Sequence, residues 1–79
     1  MQYFVRAWET HKDSKQVFGP ELLCPELTRA KAEAKQLVLT ADPALRLQAD
    51  ACCRNRGIVI TKYRCWINEK GDFQERALV

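Results

Sequence analysis

The stretch ITKYRCWIN, residues 60–68, alternates two kinds of side chain almost without error. Thr61, Tyr63, Cys65 and Ile67 form one set; Ile60, Lys62, Arg64 and Trp66 form the other. Successive side chains of a strand point to opposite faces. The segment therefore predicts a strand with a mostly apolar face and a cationic face that carries an indole. Charge chooses the register, because burying Lys62 and Arg64 unpaired costs several kcal/mol per charge. The predicted inner set is Val59, Thr61, Tyr63, Cys65 and Ile67, and the cations face outward.

The same logic applies to the flanking segments. Residues 2–9 read as a first strand with Tyr3, Val5 and Ala7 inward. The polar run 9–16 reads as a loop, with a short extra strand near Val17 stopped by Gly19 and Pro20. Residues 19–26 read as an irregular connector. In PELTRAKAEAKQLVL, Leu27, Ala30, Ala34, Leu37 and Val38 follow helical spacing, and Pro25 or Thr28 suits the first turn. Residues 42–56 predict a second helix. Asp42 offers a cap, Pro43 fits the first helical position, and Gly57 fits a left-handed stop. Its core stripe is Leu45, Ala49, Cys52 and Cys53. A second stripe near Leu47 and Ala51 is covered either by another element of the chain or by a second copy. The chain ends in a hairpin, residues 58–67 and 73–79, whose loop carries Gly71. Phe73, Ala77 and Val79 point inward there, and Glu75 is awkward unless it sits at an edge. The predicted fold is α+β: a two-layer β-α-α-β-β sandwich with a mostly antiparallel three- or four-stranded sheet and two helices on one face.

A chain of 79 residues predicts one domain, spanning 1–79, with little room for an enclosed substrate cavity. No stretch approaches the roughly 20 apolar residues of a membrane span. The start, MQYFVRAWE, lacks the pattern of a signal peptide, so the expected compartment is the cytoplasm. Cys24, Cys52, Cys53 and Cys65 contain no C-x-x-C pair, and His11 is the lone histidine. Buried reduced thiols are expected, with no metal and no other cofactor. No nucleophile elbow, phosphate-cradling loop or helical H-E-x-x-H occurs, so no enzymatic activity is expected.

The net charge of +3 permits acidic partners without demanding them. Its placement is more informative. The outward set collects Phe4, Arg6, Trp8, Ile60, Lys62, Arg64, Trp66, Gln74 and Arg76. Cations interleaved with aromatics suit either a protein interface or single-stranded nucleic acid, where bases stack on rings and cations follow phosphates. A structural reading stands beside these, with Trp8 and Trp66 covering each other under stacked arginines. The predicted partner-binding residues are Arg6, Trp8, Lys62, Arg64, Trp66 and Arg76. Leu47 and Ala51 are the contact of an alternative homodimeric module.

The strand QYFVRAWE, the helix LTRAKAEAKQL and the terminal hairpin GIVITKYRCWINEKGDFQERAL together resemble, as a pattern of elements, the small phage-encoded type I anti-CRISPR proteins. The resemblance implies a non-enzymatic α+β inhibitor that docks on a host CRISPR surveillance complex in the cytoplasm and blocks DNA recognition or nuclease recruitment. It carries over no site residue. The expected partner is a host protein or ribonucleoprotein complex, with nucleic acid as an alternative and no membrane, and the chain is a monomer or weak homodimer.

Overall fold

A computed structural model describes residues 2–10 and 21–78. They form a five-stranded, wholly antiparallel sheet with one helix on one face. In chain order the elements are β1 (Tyr3–Glu9), β2 (Leu22–Cys24), α1 (Leu27–Thr40), β3 (Leu47–Asn55), β4 (Ile58–Ile67) and β5 (Phe73–Ala77), with a single 3₁₀ turn at Pro43–Leu45. The sheet order is β2-β1-β3-β4-β5. The predicted loop at 9–16 and the short strand near Val17 fall mostly or wholly outside the described residues, as does His11.

The expected β-α-α-β-β sandwich with two helices is incorrect. Residues 42–56 hold the central strand of the sheet, not a second helix. The start signals there are real but short-lived. The Asp42 side chain accepts a hydrogen bond from Ala44 N at 3.0 Å, and Pro43 takes the first position. Arg46 then turns left-handed, at φ 48°, and ends the helix after one turn. Likewise Gly57, at φ 80°, follows Arg56 at φ 52° in a two-residue hairpin turn between β3 and β4. Consecutive positive φ angles are what a type I′ turn needs to match the twist of its strands.

Packing explains why β3 carries such small residues. Ala49 and Ala51 lie under Ala30, Ala34 and Val38 of α1, all fully buried. Alanines on both layers let the helix approach the sheet closely. The predicted helical stripe is correct: Leu27 and Leu37 pack against this core beside the three buried residues. Leu47 and Ala51, proposed as a contact with a second copy, are 1% and 0% exposed and belong to that core. The same chain covers them.

The register of β4 is correct in its second half and inverted in its first. Tyr63 and Cys65 are buried in the core, and Ile67 packs against it. Ala51 pairs with Tyr63 but Cys52 with Thr61, so Lys62 is a bulged residue without a partner on β3. One extra residue reverses every side chain beyond it. Thr61 therefore joins Cys52 on the outer face, with 3.8 Å between its hydroxyl and the Cys52 thiol, and Ile60 joins the helix side opposite Cys53. Glu75 lies on the edge strand β5 and accepts a hydrogen bond from the Tyr63 hydroxyl at 2.8 Å, which resolves its awkward inward position.

A Cβ added at Gly57 meets nothing within 4 Å, so a side chain there is opposed by backbone conformation alone. Gly57→Ala is expected to lower stability by about 1–2 kcal/mol, the cost of a left-handed non-glycine residue, read as a lower urea midpoint with an unchanged m-value.

Candidate partner-binding face

The face away from α1 is organised in cross-strand rows. Arg6 pairs with Asp50, Asp50 with Arg64, and Arg64 with Arg76. The next row runs Trp8, Gln48, Trp66, Gln74, and the row on the other side begins Phe4, Cys52, Thr61. Directly opposed residues share a face. Four strands thus bring side chains from residues 4–76 into one surface.

Asp50 organises that surface. It is 0% exposed, and its carboxylate accepts two hydrogen bonds from Arg64, Nε at 2.9 Å and Nη2 at 3.1 Å. Arg6 Nη2 lies 3.6 Å from the same carboxylate. The bidentate hydrogen bonds that Arg64 donates to Asp50 raise its pKa further, outweighing the opposing effect of partial burial. Both guanidinia also sit over the Trp8 ring, at 5.7 Å for Arg6 and 5.9 Å for Arg64. Arg54 stacks over Phe4 at 4.1 Å while donating to both Glu21 oxygens at 3.0 and 3.2 Å.

The six predicted binding residues accordingly divide. Trp8 is 7% exposed and Phe4 2%, so the expected exposed aromatics of β1 are internal. Arg6 and Arg64 are part-exposed guanidinia committed to a buried acid. Lys62 sits on the bulge, and its carbonyl accepts Leu78 N at 2.9 Å. Trp66 is partly exposed, and Arg76 is exposed and makes no ion pair with any described residue. The structural reading of stacked arginines holds for Trp8, and the open part of the face is Trp66 with Arg76.

Two concavities flank Trp66, and Gln48 and Trp66 line both. One, of about 260 Å³, runs along Arg64, Arg76 and Leu78. The other, of about 600 Å³, lies at the end of the sheet, where Thr10, Arg46 and Lys70 contribute to its wall together with the carboxylates Glu69 and Asp72. Arg46 is held in its left-handed conformation from both sides. Its carbonyl accepts Thr10 N at 3.2 Å and Thr10 Oγ1 at 2.7 Å, and its own N donates to Pro43 O at 3.1 Å. Lys70 is placed by Asn68, whose side-chain oxygen accepts Lys70 N and Asp72 N at 2.9 Å each.

Sequence reading missed Asp50, Arg46 and Lys70. Asp50 was hidden inside a stretch read as a helix. Its one signal was an acid between two alanines, in a segment too apolar to leave it solvated.

All four cysteines are free and buried. Burial raises the pKa of Cys24 and Cys52, and that of Cys65 to about 11. Among the described residues no cluster of His, Cys, Asp and Glu has the makings of a metal site. No described helix is long and apolar enough to cross a membrane. Comparison with protein families, with curated proteins and with solved structures finds no match to this chain.

These environments determine how the fold responds to substitution, alkylation and pH. Arg64→Met leaves the fully buried Asp50 carboxylate with only the longer Arg6 contact and is expected to cost up to about 3–5 kcal/mol in denaturant unfolding. Asp50→Leu, by contrast, strands only guanidinia that can reach water, so Arg64→Met should be the worse of the two. The thiols should resist alkylation in the native protein at pH 8 and all react in denaturant. Because folding raises the Cys65 pKa above its unfolded value near 9, its contribution is fully present below that pH. Stability should then fall as pH rises from about 9 to about 11.

Proposed function

We propose that this chain is a non-enzymatic docking protein that engages an anionic surface of a host protein complex through Trp66 and the cations around it. The observation that carries the reading is the pairing of Arg76 opposite Arg64. Like charges directly opposed across a sheet are destabilising, and Asp50 already occupies Arg64 from the other side. Among the described residues the Arg76 charge has no acidic partner, and it lies beside a partly exposed indole. Trp and Arg are the residues that most often carry interface energy. The elements that resemble type I anti-CRISPR proteins, a first strand, an Ala/Lys-rich helix and a terminal hairpin, are the basis for taking a CRISPR surveillance complex as the partner.

A second reading draws on the two concavities. An indole between them, with Arg64 and Arg76 on one side and Arg46 and Lys70 set among Glu69 and Asp72 on the other, also suits a single strand whose bases stack on Trp66 and whose phosphates follow Arg64 and Arg76.

Arg64 is unsuited to testing either reading, because its loss removes both hydrogen bonds to the buried Asp50 and would disturb the face as well as the charge. Trp66→Ala combined with Arg76→Glu removes the open residues and spares the Asp50 clamp. The wild-type chain is expected to block target-DNA binding by a purified type I surveillance complex, and the double variant to lose at least 100-fold in potency with an unchanged melting curve. Equal potency of the two proteins would remove the Trp66 face from consideration. Binding to a labelled single-stranded oligonucleotide in place of the complex, falling steeply with salt, would instead favour the second reading.

A further inference from the structure

We propose that the larger concavity beside Trp66 is a site for one nucleoside monophosphate unit, either free or at the end of a strand. The inference goes beyond both readings of the Trp66 face. It rests on the residues at the end of the sheet, and it stands or falls whether or not a surveillance complex is blocked.

The walls come from three parts of the chain. Trp66 and Gln48 are directly opposed on β4 and β3, so they share one sheet face. Arg46 comes from the turn before β3, and Lys70 comes from the β4–β5 loop with Glu69 and Asp72 on either side of it in sequence. The volume of about 600 Å³ lies within the roughly 300–1,000 Å³ that small-molecule sites occupy. Two cations and two carboxylates thus line one space. None of the four side chains makes an ion pair or a hydrogen bond with a described residue, so their donors and acceptors are open to a ligand.

That set matches the parts of a nucleotide. The exposed part of the indole stacks a base. The Gln48 amide beside it offers a donor and an acceptor to the base edge, a combination that adenine N6 and N7 satisfy. Arg46 and Lys70 supply the donors that a phosphate takes. Glu69 and Asp72 accept from ribose hydroxyls, and they limit the negative charge the space tolerates, which favours a monophosphate over a triphosphate. Other ligand classes use less of the site. A bare anion would leave the indole and both acids without a role. An amino acid zwitterion would engage the charges but leave Gln48 and most of the volume unfilled.

Titration with adenosine 5′-monophosphate, followed by NMR of the labelled full chain, tests this. Saturable one-to-one binding is expected, with the Trp66 indole N–H and the Gln48 side-chain amide among the largest shifts. Arg46→Gly and Lys70→Ala should each weaken affinity at least about fivefold. Both spare the backbone, since glycine suits the left-handed conformation at φ 48° and Lys70 is placed through its main-chain N–H. Arg56→Gly removes the same charge from the other left-handed arginine, at the far end of β3, and should leave affinity unchanged. Adenosine and inorganic phosphate should each bind at least about tenfold more weakly than the nucleotide, because each fills half of the site. A short deoxyadenosine strand, with and without a 5′-phosphate, separates the two sources. Tighter binding of the free nucleotide assigns the site to a metabolite, and tighter binding of the phosphorylated strand assigns it to a strand end. The inference is overturned if neither phosphorylated probe saturates by about 10 mM. It is equally overturned if the strand binds as well without its phosphate, if the shifts centre away from Trp66 and Gln48, or if Arg56→Gly costs as much as Arg46→Gly.

Discussion

The buried carboxylate of Asp50 is the constraint around which the outer layer is arranged. A fully desolvated charge on a sheet face without a covering helix is tolerable only if oriented donors meet it. Arg64 supplies two from β4 and Arg6 a third contact from β1, so one acid on the central strand ties three strands together. The same guanidinia then lie over Trp8. Arg54 repeats the device over Phe4. The face opposite α1 is therefore a second packed layer built from ion pairs and cation–π contacts, where the first is built from alanines and aliphatics.

That two-sided burial explains what the sequence revealed and what it concealed. Strands with one wet face, the second half of β4 and the terminal hairpin, were legible from alternation, and so was the α1 stripe. β3 is buried on both sides, and its pattern becomes a nearly continuous run of small residues. Ala, Leu, Gln and Arg are good helix formers, and with no alternation to oppose them propensity favoured a helix. Asp42-Pro43 and Gly57 reinforced that choice, because a 3₁₀ turn and a type I′ hairpin use the same chemistry as helix ends. The bulge at Lys62 left no mark in the alternating pattern at all. It is visible only once β3 sets the register, and it moves Thr61 and Ile60 to the faces opposite those expected.

For the candidate site, residue type was legible but division of labour was not. Arg6, Arg64 and Trp8 were correctly gathered on one face, yet a list of outward-pointing cations does not say which are already neutralised. Only the position of Asp50 does, and that depends on β3 being a strand. Arg46 and Lys70 come from turns at the sheet's end, where side-chain direction has no period to read.

The division matters for how such a surface can bind. A guanidinium that already gives two hydrogen bonds to a buried acid gains little from a second anion, because turning toward it would strand the first. The energy available to a partner must come from groups whose needs the fold leaves unmet: the Arg76 charge, the open part of the Trp66 ring, and the cations on the far side of that ring. Arg64 contributes by position. Locked by Asp50, it cannot turn to share an incoming anion and stays directly opposite Arg76. The fold thus presents Arg76, exposed and without an acidic partner among the described residues, at the rim of a rigid clamp, and an anion that docks there must offset the entropy of ordering that side chain.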